Sequence, residues 1–398
     1  KDLDQQNGPF DIFNYSYGFE QCQGVVLDPS FIAQIKIGVE NLRLGNGANY
    51  VKSAGNSFLA DLQQTCPGVY AGAGIVGLYV YAGNSNLAND MAYPYELVVG
   101  AVNAKGIKSS YSSPGSNIWI SAMGGEFGQT DPAMMTTDQS TCAVGVSAQQ
   151  GTNPVNNFET GLNTALNPTC KYTSVMNGTS SAAPVTSGVI ALILEANNNL
   201  GYRDVRKILA DTARKVDATS VNLSNPIGIA VPPGHIYEPG WIINAAGYNF
   251  HNWYGFGVIN AKDAVTAAQN TVSYLGPVAE ANYASGTVNV AIPDNSATGG
   301  SHTIISASTL TIESIQIIPN ITHNFMSEVG IELTSPSGSK SVLLNLNSNI
   351  AQSNWNAELL TNAFYGETAT GNWTIKVLDG VTADTGVLSN WSIKIYGH

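Results

Sequence analysis

The sequence predicts an α/β domain with a mostly parallel sheet, followed by an all-β sandwich. Up to about residue 275, short strand patterns alternate with longer helical patterns, which is typical of a parallel sheet covered by helices. Residues 285–398 show no helical period, only short alternating segments between turns. We therefore expect two domains, 1–276 and 277–398, with the boundary at Gly276-Pro277.

The first domain is predicted to contain five strands and four helices. The strands are short apolar runs, most of them bounded by Gly, Pro or Asn, and one helix carries its apolar residues at a spacing of three and four. The predicted strands are Asp11–Tyr17, Ala48–Ser53, Gly77–Tyr81, Leu97–Val102 and Asn117–Ser121. The predicted helices are Phe31–Leu42, Ser181–Asn197, Tyr202–Val216 and Ala261–Gln269.

The second domain shows the period of two that half-buried strands require. Residues 309–317 and 372–378 alternate between apolar and polar side chains. Turn-forming residues at Pro336-Ser337-Gly338 and Asp379-Gly380 interrupt the strands at intervals typical of a sandwich. These patterns predict an antiparallel β-sandwich or jelly roll.

Composition excludes several classes of function. The net charge of −12 argues against a general nucleic-acid binder, which needs clustered Lys and Arg. No apolar run approaches the roughly 20 residues of a membrane span. Only 11% of the residues are charged, and Asn, Ser, Thr and Gly take their place, which favours a secreted protein.

The four cysteines are confined to the first 170 residues, and none forms a C-x-x-C pair. Two disulfides are favoured over four free thiols, because no zinc or redox spacing is present. The most local of the three possible pairings is Cys22–Cys66 with Cys142–Cys170, and the other two pairings stay open.

One hydroxyl is placed for chemistry in the segment Asn177–Pro184. It is a run of small residues that leads directly into an apolar helix and puts Ser180 at the start of that helix. There the helix dipole and unpaired backbone N–H groups favour negative charge that develops on a substrate. Ala182 and Ala183 leave room for a carbonyl group, and Pro184 is expected in the first turn, where proline is tolerated.

This segment resembles the nucleophile region of subtilisin-like serine proteases, in which Asp and His precede the Ser along the chain. All five histidines of this chain follow Ser180: His235, His251, His302, His323 and His398. The resemblance therefore implies the C-terminal part of a longer protein. Its partner would be an N-terminal fragment of the same protein that carries the catalytic Asp and His.

Three further features narrow the resemblance to the kexin/furin branch. Gly178–Val205 contains that branch's LEAN run and an aromatic-Arg-Asp sequence. Tyr254–Ala261 is similar to the Tyr-Gly-Phe-Gly motif at the end of its catalytic domain. Pieces such as Leu333–Gly338 and Gly371-Asn372-Trp373 resemble the P domain that follows kexin-like catalytic domains. The resemblance implies a subtilisin-like domain followed by a jelly-roll P domain, with protein or peptide substrates.

The resemblance also implies roles for individual residues. Ser180 would be the nucleophile, and Asn56 would donate its side-chain amide to the oxyanion. The substrate-binding residues would be Ser16, Tyr17, Gly18, Ala54, Gly55 and Asp90. Asp90 would pair with an Arg or Lys before the scissile bond. A calcium ion is implied, but its ligands cannot be assigned, because Gln21 and Ser113 stand where carboxylates are expected.

Several alternatives compete with these assignments. Asn84 rivals Asn56, because it also follows a strand, and His251 could be imagined as a base for Ser180. The run Gly72–Gly77 fits G-x-G-x-x-G, but Cys66-Pro67-Gly68 precedes it and a strand-like run follows, so a dinucleotide site is rejected. For the whole chain, the rivals are a non-catalytic binding protein and a degradative subtilisin of broad specificity.

Overall fold

The structure is a computed structural model of the 398-residue chain. The residues that it describes are 10–18, 29–58, 83–139, 141–149, 155–159, 165–219, 231–272, 275, 278–348, 350 and 352–398. The predicted strand Gly77–Tyr81, the run Gly72–Gly77, the residues Gln21, Cys22 and Cys66, and the dipeptide Gly276-Pro277 lie outside them.

A four-stranded parallel sheet forms the centre of the first unit. Its strands are β1 (Ile12–Tyr15), β2 (Asn49–Ser53), β3 (Glu96–Val102) and β4 (Ile118–Met123), and they lie side by side in this order. Every residue of β2 and β3 is buried, as expected for strands that are covered on both faces. The sheet confirms the predicted parallel α/β architecture.

Five α-helices accompany this sheet in the described part of the chain: α1 (Pro29–Asn41), α2 (Val146–Gln149), α3 (Thr179–Ala196), α4 (Tyr202–Thr212) and α5 (Ala261–Asn270). Helix α3 packs against β1, β2, β3 and β4 and against α5, so it is the core helix of the unit. Its 18 residues are apolar enough to cross a membrane by length and composition, but half of them are buried inside the protein.

The predicted boundaries of these elements differ from the observed ones mostly by one or two residues. The largest difference is at α4, which ends at Thr212 and not at Val216. Two antiparallel strand pairs were not predicted: β5 (Met134–Thr137) with β6 (Tyr172–Met176), and β7 (Ile242–Ile243) with β8 (Asn249–Phe250). A disulfide joins Cys142 to Cys170 in the segment between β5 and β6, which confirms one of the two bonds of the most local pairing; the other, Cys22–Cys66, lies outside the described residues.

The second unit is an antiparallel sandwich, as predicted. One sheet has the order β10-β18-β12-β15, with β9 on β18 and β16 on β12, and the other has the order β11-β17-β13-β14. The strands are β9 (Ala279–Ala284), β10 (Val290–Ile292), β11 (Ser296–Ser306), β12 (Ile312–His323), β13 (Val329–Thr334), β14 (Lys340–Leu344), β15 (Asn354–Asn356), β16 (Leu359–Thr361), β17 (Gly371–Asp379) and β18 (Gly386–Gly397). The predicted domain boundary falls between α5 and β9 and stays a prediction.

The two units share a buried interface. Ala363 and Tyr365 of the sandwich belong to the hydrophobic core of the α/β unit, where the Tyr365 ring lies edge-on to Trp119 with 5.3 Å between centroids. Asn362 Nδ2 donates a hydrogen bond of 2.8 Å to the Asn117 carbonyl oxygen. Because these contacts are buried on both sides, the sandwich completes the α/β core.

Candidate active site

Ser180 lies in the first turn of α3, at the carboxyl edge of the parallel sheet. Its side chain is half-buried, and the turn before it depends on Gly178, whose φ of 104° is unfavourable for residues with a β-carbon. The Tyr111 hydroxyl accepts a hydrogen bond of 2.8 Å from Gly178 N and donates to the Gly124 and Gly125 carbonyl oxygens. Tyr111, which the sequence did not single out, therefore fixes the turn that presents Ser180.

The position of Pro184 differs from the prediction and explains a contact of Ser180. Helix α3 begins at Thr179, so Pro184 is its sixth residue and lies inside the helix, beyond the first turn. Proline has no N–H group, and the carbonyl oxygen four residues earlier, that of Ser180, therefore lacks its helical partner. That oxygen instead accepts a hydrogen bond of 2.9 Å from Ser16 Oγ.

Ser16, Tyr17 and Gly18 follow the end of β1 and run beside the nucleophile. The Ser180 hydroxyl donates to the Ser16 carbonyl oxygen at 3.2 Å, so the two serines contact each other in both directions. Tyr17 and Gly18 are exposed. The predicted substrate-binding edge and the predicted nucleophile thus lie side by side, with their accessible faces toward solvent.

Asn56 contacts the residue before Ser180. Its Oδ1 accepts hydrogen bonds of 2.9 Å from both the backbone N–H and the hydroxyl of Thr179, and Thr179 Oγ1 in turn accepts from Gly55 N at 3.1 Å. Because Oδ1 is held in this way, the amide Nδ2 is the end of the exposed Asn56 side chain that remains to donate. Ala54, just before this turn, is fully buried.

The rival residue Asn84 has a different role. Its Oδ1 accepts from Asn86 N at 2.9 Å and caps a short 3-10 helix, Ser85–Leu87, while its Nδ2 donates to the Leu343 carbonyl oxygen of the sandwich at 3.1 Å. The side chain is buried at the interface between the two units. Both ends of its amide are therefore occupied by structural contacts, which supports Asn56 over Asn84.

Ser113, which stands where a carboxylate was expected, supports the Asn56 turn. Its hydroxyl accepts a hydrogen bond of 3.0 Å from Ser57 N, and its own N–H donates to the Gly55 carbonyl oxygen at 3.0 Å. Ser113 is fully buried. Its two hydrogen bonds hold the backbone in place on both sides of Asn56.

Asp90 lies in a second 3-10 helix, Asn89–Ala92, and is 4% exposed. Its Oδ2 is 2.7 Å from the ammonium nitrogen of Lys52, the fourth residue of β2. Lys52 Nζ also donates a hydrogen bond of 2.7 Å to the Tyr17 carbonyl oxygen. The acid that was predicted to pair with a substrate cation is thus paired with a lysine of its own chain.

Glu96, at the start of β3, is close enough to this ion pair for both of its charges to affect the pKa of Glu96. Burial raises its pKa to about 8, while the charge of Lys52 lowers that pKa and the charge of Asp90 raises it. Neither carboxylate oxygen has a hydrogen-bond partner among the described residues. At pH 7 the neutral, protonated form of Glu96 is therefore favoured.

This raised pKa predicts how stability depends on pH. Between about pH 5 and 8 the folded protein keeps a proton on Glu96 that the unfolded chain has released, so the free energy of unfolding falls as pH rises, by up to about 1.4 kcal/mol per pH unit. Below pH 5 and above pH 8 this contribution no longer changes with pH. Glu96→Gln should remove this part of the slope, measured by urea unfolding at pH 5.5, 6.5 and 7.5.

The exposed Glu40→Gln variant is the matched control and should keep the slope of the unmodified protein. An unchanged slope in Glu96→Gln would show that Glu96 does not hold its proton in the folded state.

The five histidines have partners away from Ser180. His251 Nδ1 accepts a hydrogen bond of 3.0 Å from Trp253 N, its ring lies against Trp241, and burial lowers its pKa to about 3. The other four lie in or against the sandwich: His235, His302, His323 and His398. No hydrogen bond joins any of the five to Ser180 in the described structure, which argues against His251 as the base.

The sequence resemblance implied a calcium ion, and the described residues do not identify its ligands. Within the described ranges, no three His, Cys, Asp or Glu side chains form a group that could hold a metal ion. At Asp90, the positive charge is supplied by the ammonium group of Lys52. No calcium ligand is therefore assigned.

Comparison with known proteins places this chain in a family. Residues 3–230 match the subtilase family, and residues 312–395 match the proprotein convertase P-domain. A protein named Aeromonas extracellular serine protease, from Aeromonas sobria, is 35% identical over 394 residues, which cover 90% of this chain and 60% of the relative. A calcium-dependent protease of Nostoc sp. is 29% identical, with 67% of this chain and 34% of the relative covered.

Among solved structures, the Aeromonas sobria serine protease in complex with a chaperone superposes with a TM-score of 0.85, at 30% identity, over 98% of this chain and 71% of the relative. The partner in that structure is a chaperone and not an N-terminal fragment. This chain spans 60% of the length of the Aeromonas sobria relative matched by sequence. The chain belongs to the subtilase family of serine proteases and carries a C-terminal proprotein convertase P-domain.

Proposed function

We propose that this chain carries the nucleophile, oxyanion donor and substrate edge of a secreted serine endopeptidase. The observation that carries the proposal is the contact between Ser180, at the start of α3, and the exposed edge Ser16–Gly18. Asn56 lies against the same helix start. Family membership supports hydrolysis of peptide bonds, and the name of the Aeromonas sobria relative supports an extracellular location.

The edge Ser16–Gly18 would hold the substrate as an added strand. A peptide that forms main-chain hydrogen bonds with this edge extends the parallel sheet outward from β1, a recognition mode that fixes the backbone and leaves side chains to the pockets. Because Ser16 contacts Ser180, the scissile bond would lie over the nucleophile.

The chemistry would be acyl transfer. Ser180 Oγ attacks the carbonyl carbon while its proton passes to a histidine base, and the oxyanion is held by Asn56 Nδ2 and the Ser180 N–H. The tetrahedral intermediate expels the amine, which takes the proton from the histidine. A water molecule then attacks the acyl-enzyme by the same steps and releases the acid. Because all five histidines of this chain lie elsewhere, we propose that the base belongs to another polypeptide segment, such as an N-terminal fragment.

A broad-specificity degradative enzyme is the second candidate, and one contact favours it over a processing enzyme. A preference for Arg or Lys depends on Asp90, and the carboxylate of Asp90 is paired with Lys52. A non-catalytic binding role is the third alternative, and the experiment below separates it from both enzymes.

The test is labelling of the native sample with a fluorophosphonate, followed by mass spectrometry of every polypeptide present. We expect label on Ser180 and a co-purifying segment that bears a histidine, since an unactivated serine reacts poorly. Ser180→Ala is the control and should take no label. An unlabelled Ser180 in a folded sample would contradict the proposal and favour the binding role.

A further inference from the structure

A buried ion pair lies directly beneath the substrate edge. The ammonium nitrogen of Lys52 is 2.7 Å from Asp90 Oδ2 and 2.7 Å from the Tyr17 carbonyl oxygen. The side chains are 1% and 6% exposed. Both charges are therefore almost completely removed from water, and each depends on the other for compensation.

The ion pair lies close to the edge segment that contacts the nucleophile. A β-carbon placed on Gly18 would lie 3.8 Å from Lys52 Nζ, and the same edge contacts Ser180 through Ser16. Four residues after Lys52 the chain reaches Asn56. The ammonium group thus lies against the substrate edge, and Lys52 belongs to the strand that leads to the proposed oxyanion donor.

We propose that Lys52 determines specificity: it is an internal counter-ion that neutralises Asp90, so that the residue before the scissile bond is neutral rather than Arg or Lys. This inference rests on the proposed function, because it assigns Asp90 to the pocket beside Ser180. The protein itself supplies the cation that a basic substrate would otherwise bring.

The surroundings of Asp90 agree with a neutral pocket. Ala54, Ala88 and Met91 form one buried apolar cluster with residues of β3 and β4. Glu96 adds no full negative charge at neutral pH, because burial favours its protonated form. The described residues near Asp90 thus combine a compensated ion pair with buried apolar side chains.

A substrate cation would not readily displace Lys52. The lysine projects from β2, an inner strand of the sheet, and is held by both a carboxylate and a backbone carbonyl oxygen. A second cation at Asp90 would meet the charge of Lys52 in a region of low dielectric constant, where repulsion between like charges is strong. Arg and Lys side chains of a substrate are therefore excluded both by repulsion from the Lys52 charge and by the volume that the Lys52 side chain occupies.

The experiment measures binding of benzamidinium, a compact analogue of the arginine side chain, by calorimetry. We expect the native protein to bind it weakly and Lys52→Met to bind it about 10- to 100-fold more tightly, the range of one buried charge-assisted contact. Lys52→Met/Asp90→Asn should lose this gain. Lys52→Arg keeps the internal cation and should behave as the native protein does.

The native protein and its Asp90→Asn variant also decide the question, should Lys52→Met fail to fold. Tight benzamidinium binding that Asp90→Asn weakens about tenfold or more would overturn the proposal, because it would show that Asp90 is open to external cations. Unchanged binding in a folded Lys52→Met variant would overturn it as well. Neither readout needs a reactive Ser180, so failure of the fluorophosphonate test remains distinguishable from failure of this inference.

Discussion

Asn56→Ala is expected to lower kcat by about 10²- to 10³-fold with little change in KM, which is the usual cost of removing one oxyanion donor. The effect falls on kcat because the amide donates to charge that develops only in the transition state. The measurement is hydrolysis of a chromogenic peptide by a preparation in which Ser180 takes the fluorophosphonate label, with rates normalised to labelled enzyme.

Thr179→Val is the matched control for this substitution. It removes the hydroxyl that donates to Asn56 Oδ1 but keeps the backbone N–H contact and the side-chain amide of Asn56. We expect it to lower kcat much less than Asn56→Ala does. A loss of less than about threefold in Asn56→Ala would contradict the oxyanion role, because even a weak hydrogen bond to a charged group is worth more.

Deletion of residues 277–398 is expected to leave no cooperatively folded α/β unit. The deletion removes Ala363 and Tyr365 from the core and removes the partners of several buried polar groups, including Asn84 and Ser116. Each buried polar group left without a partner costs about 1–3 kcal/mol, and a whole domain is stable by only about 5–15 kcal/mol. Circular dichroism and thermal unfolding of the truncated chain provide the measurement.

Tyr365→Ala in the 398-residue chain is the milder companion variant. The loss of a large buried aromatic side chain costs about 3–5 kcal/mol, so a lowered melting temperature with the fold intact is expected. A truncated chain that melts at the temperature of the 398-residue chain would show that the α/β unit does not depend on the sandwich.

The sequence predicted the elements of the fold well because their causes are local. The strand β3 is a continuous apolar run after Glu96, and the small residues before α3 mark the start of a helix wherever the rest of the chain lies. The placement of Ser180 beside Ser16 followed from the family resemblance, and the structure brings these two residues together.

The features that the sequence did not reveal depend on contacts between distant segments. Lys52 and Asp90 are 38 positions apart, and nothing near either residue shows that their side chains meet. Asn56 and Asn84 both follow a strand predicted from the sequence, and only their partners distinguish them, Thr179 in one case and Leu343 in the other. Long-range pairs of this kind require the sheet order and the packing of the sandwich to be known first.

The carbonyl group that Pro184 leaves without a helical partner has a consequence for the free energy of substrate binding. A substrate edge outside the regular sheet would ordinarily have to be ordered by the peptide itself, and binding would bear that loss of conformational entropy. The hydrogen bond from Ser16 to the Ser180 carbonyl oxygen orders the first residue of the edge in advance. Edge and nucleophile are thus aligned before a peptide arrives, and more of its binding energy remains for the transition state.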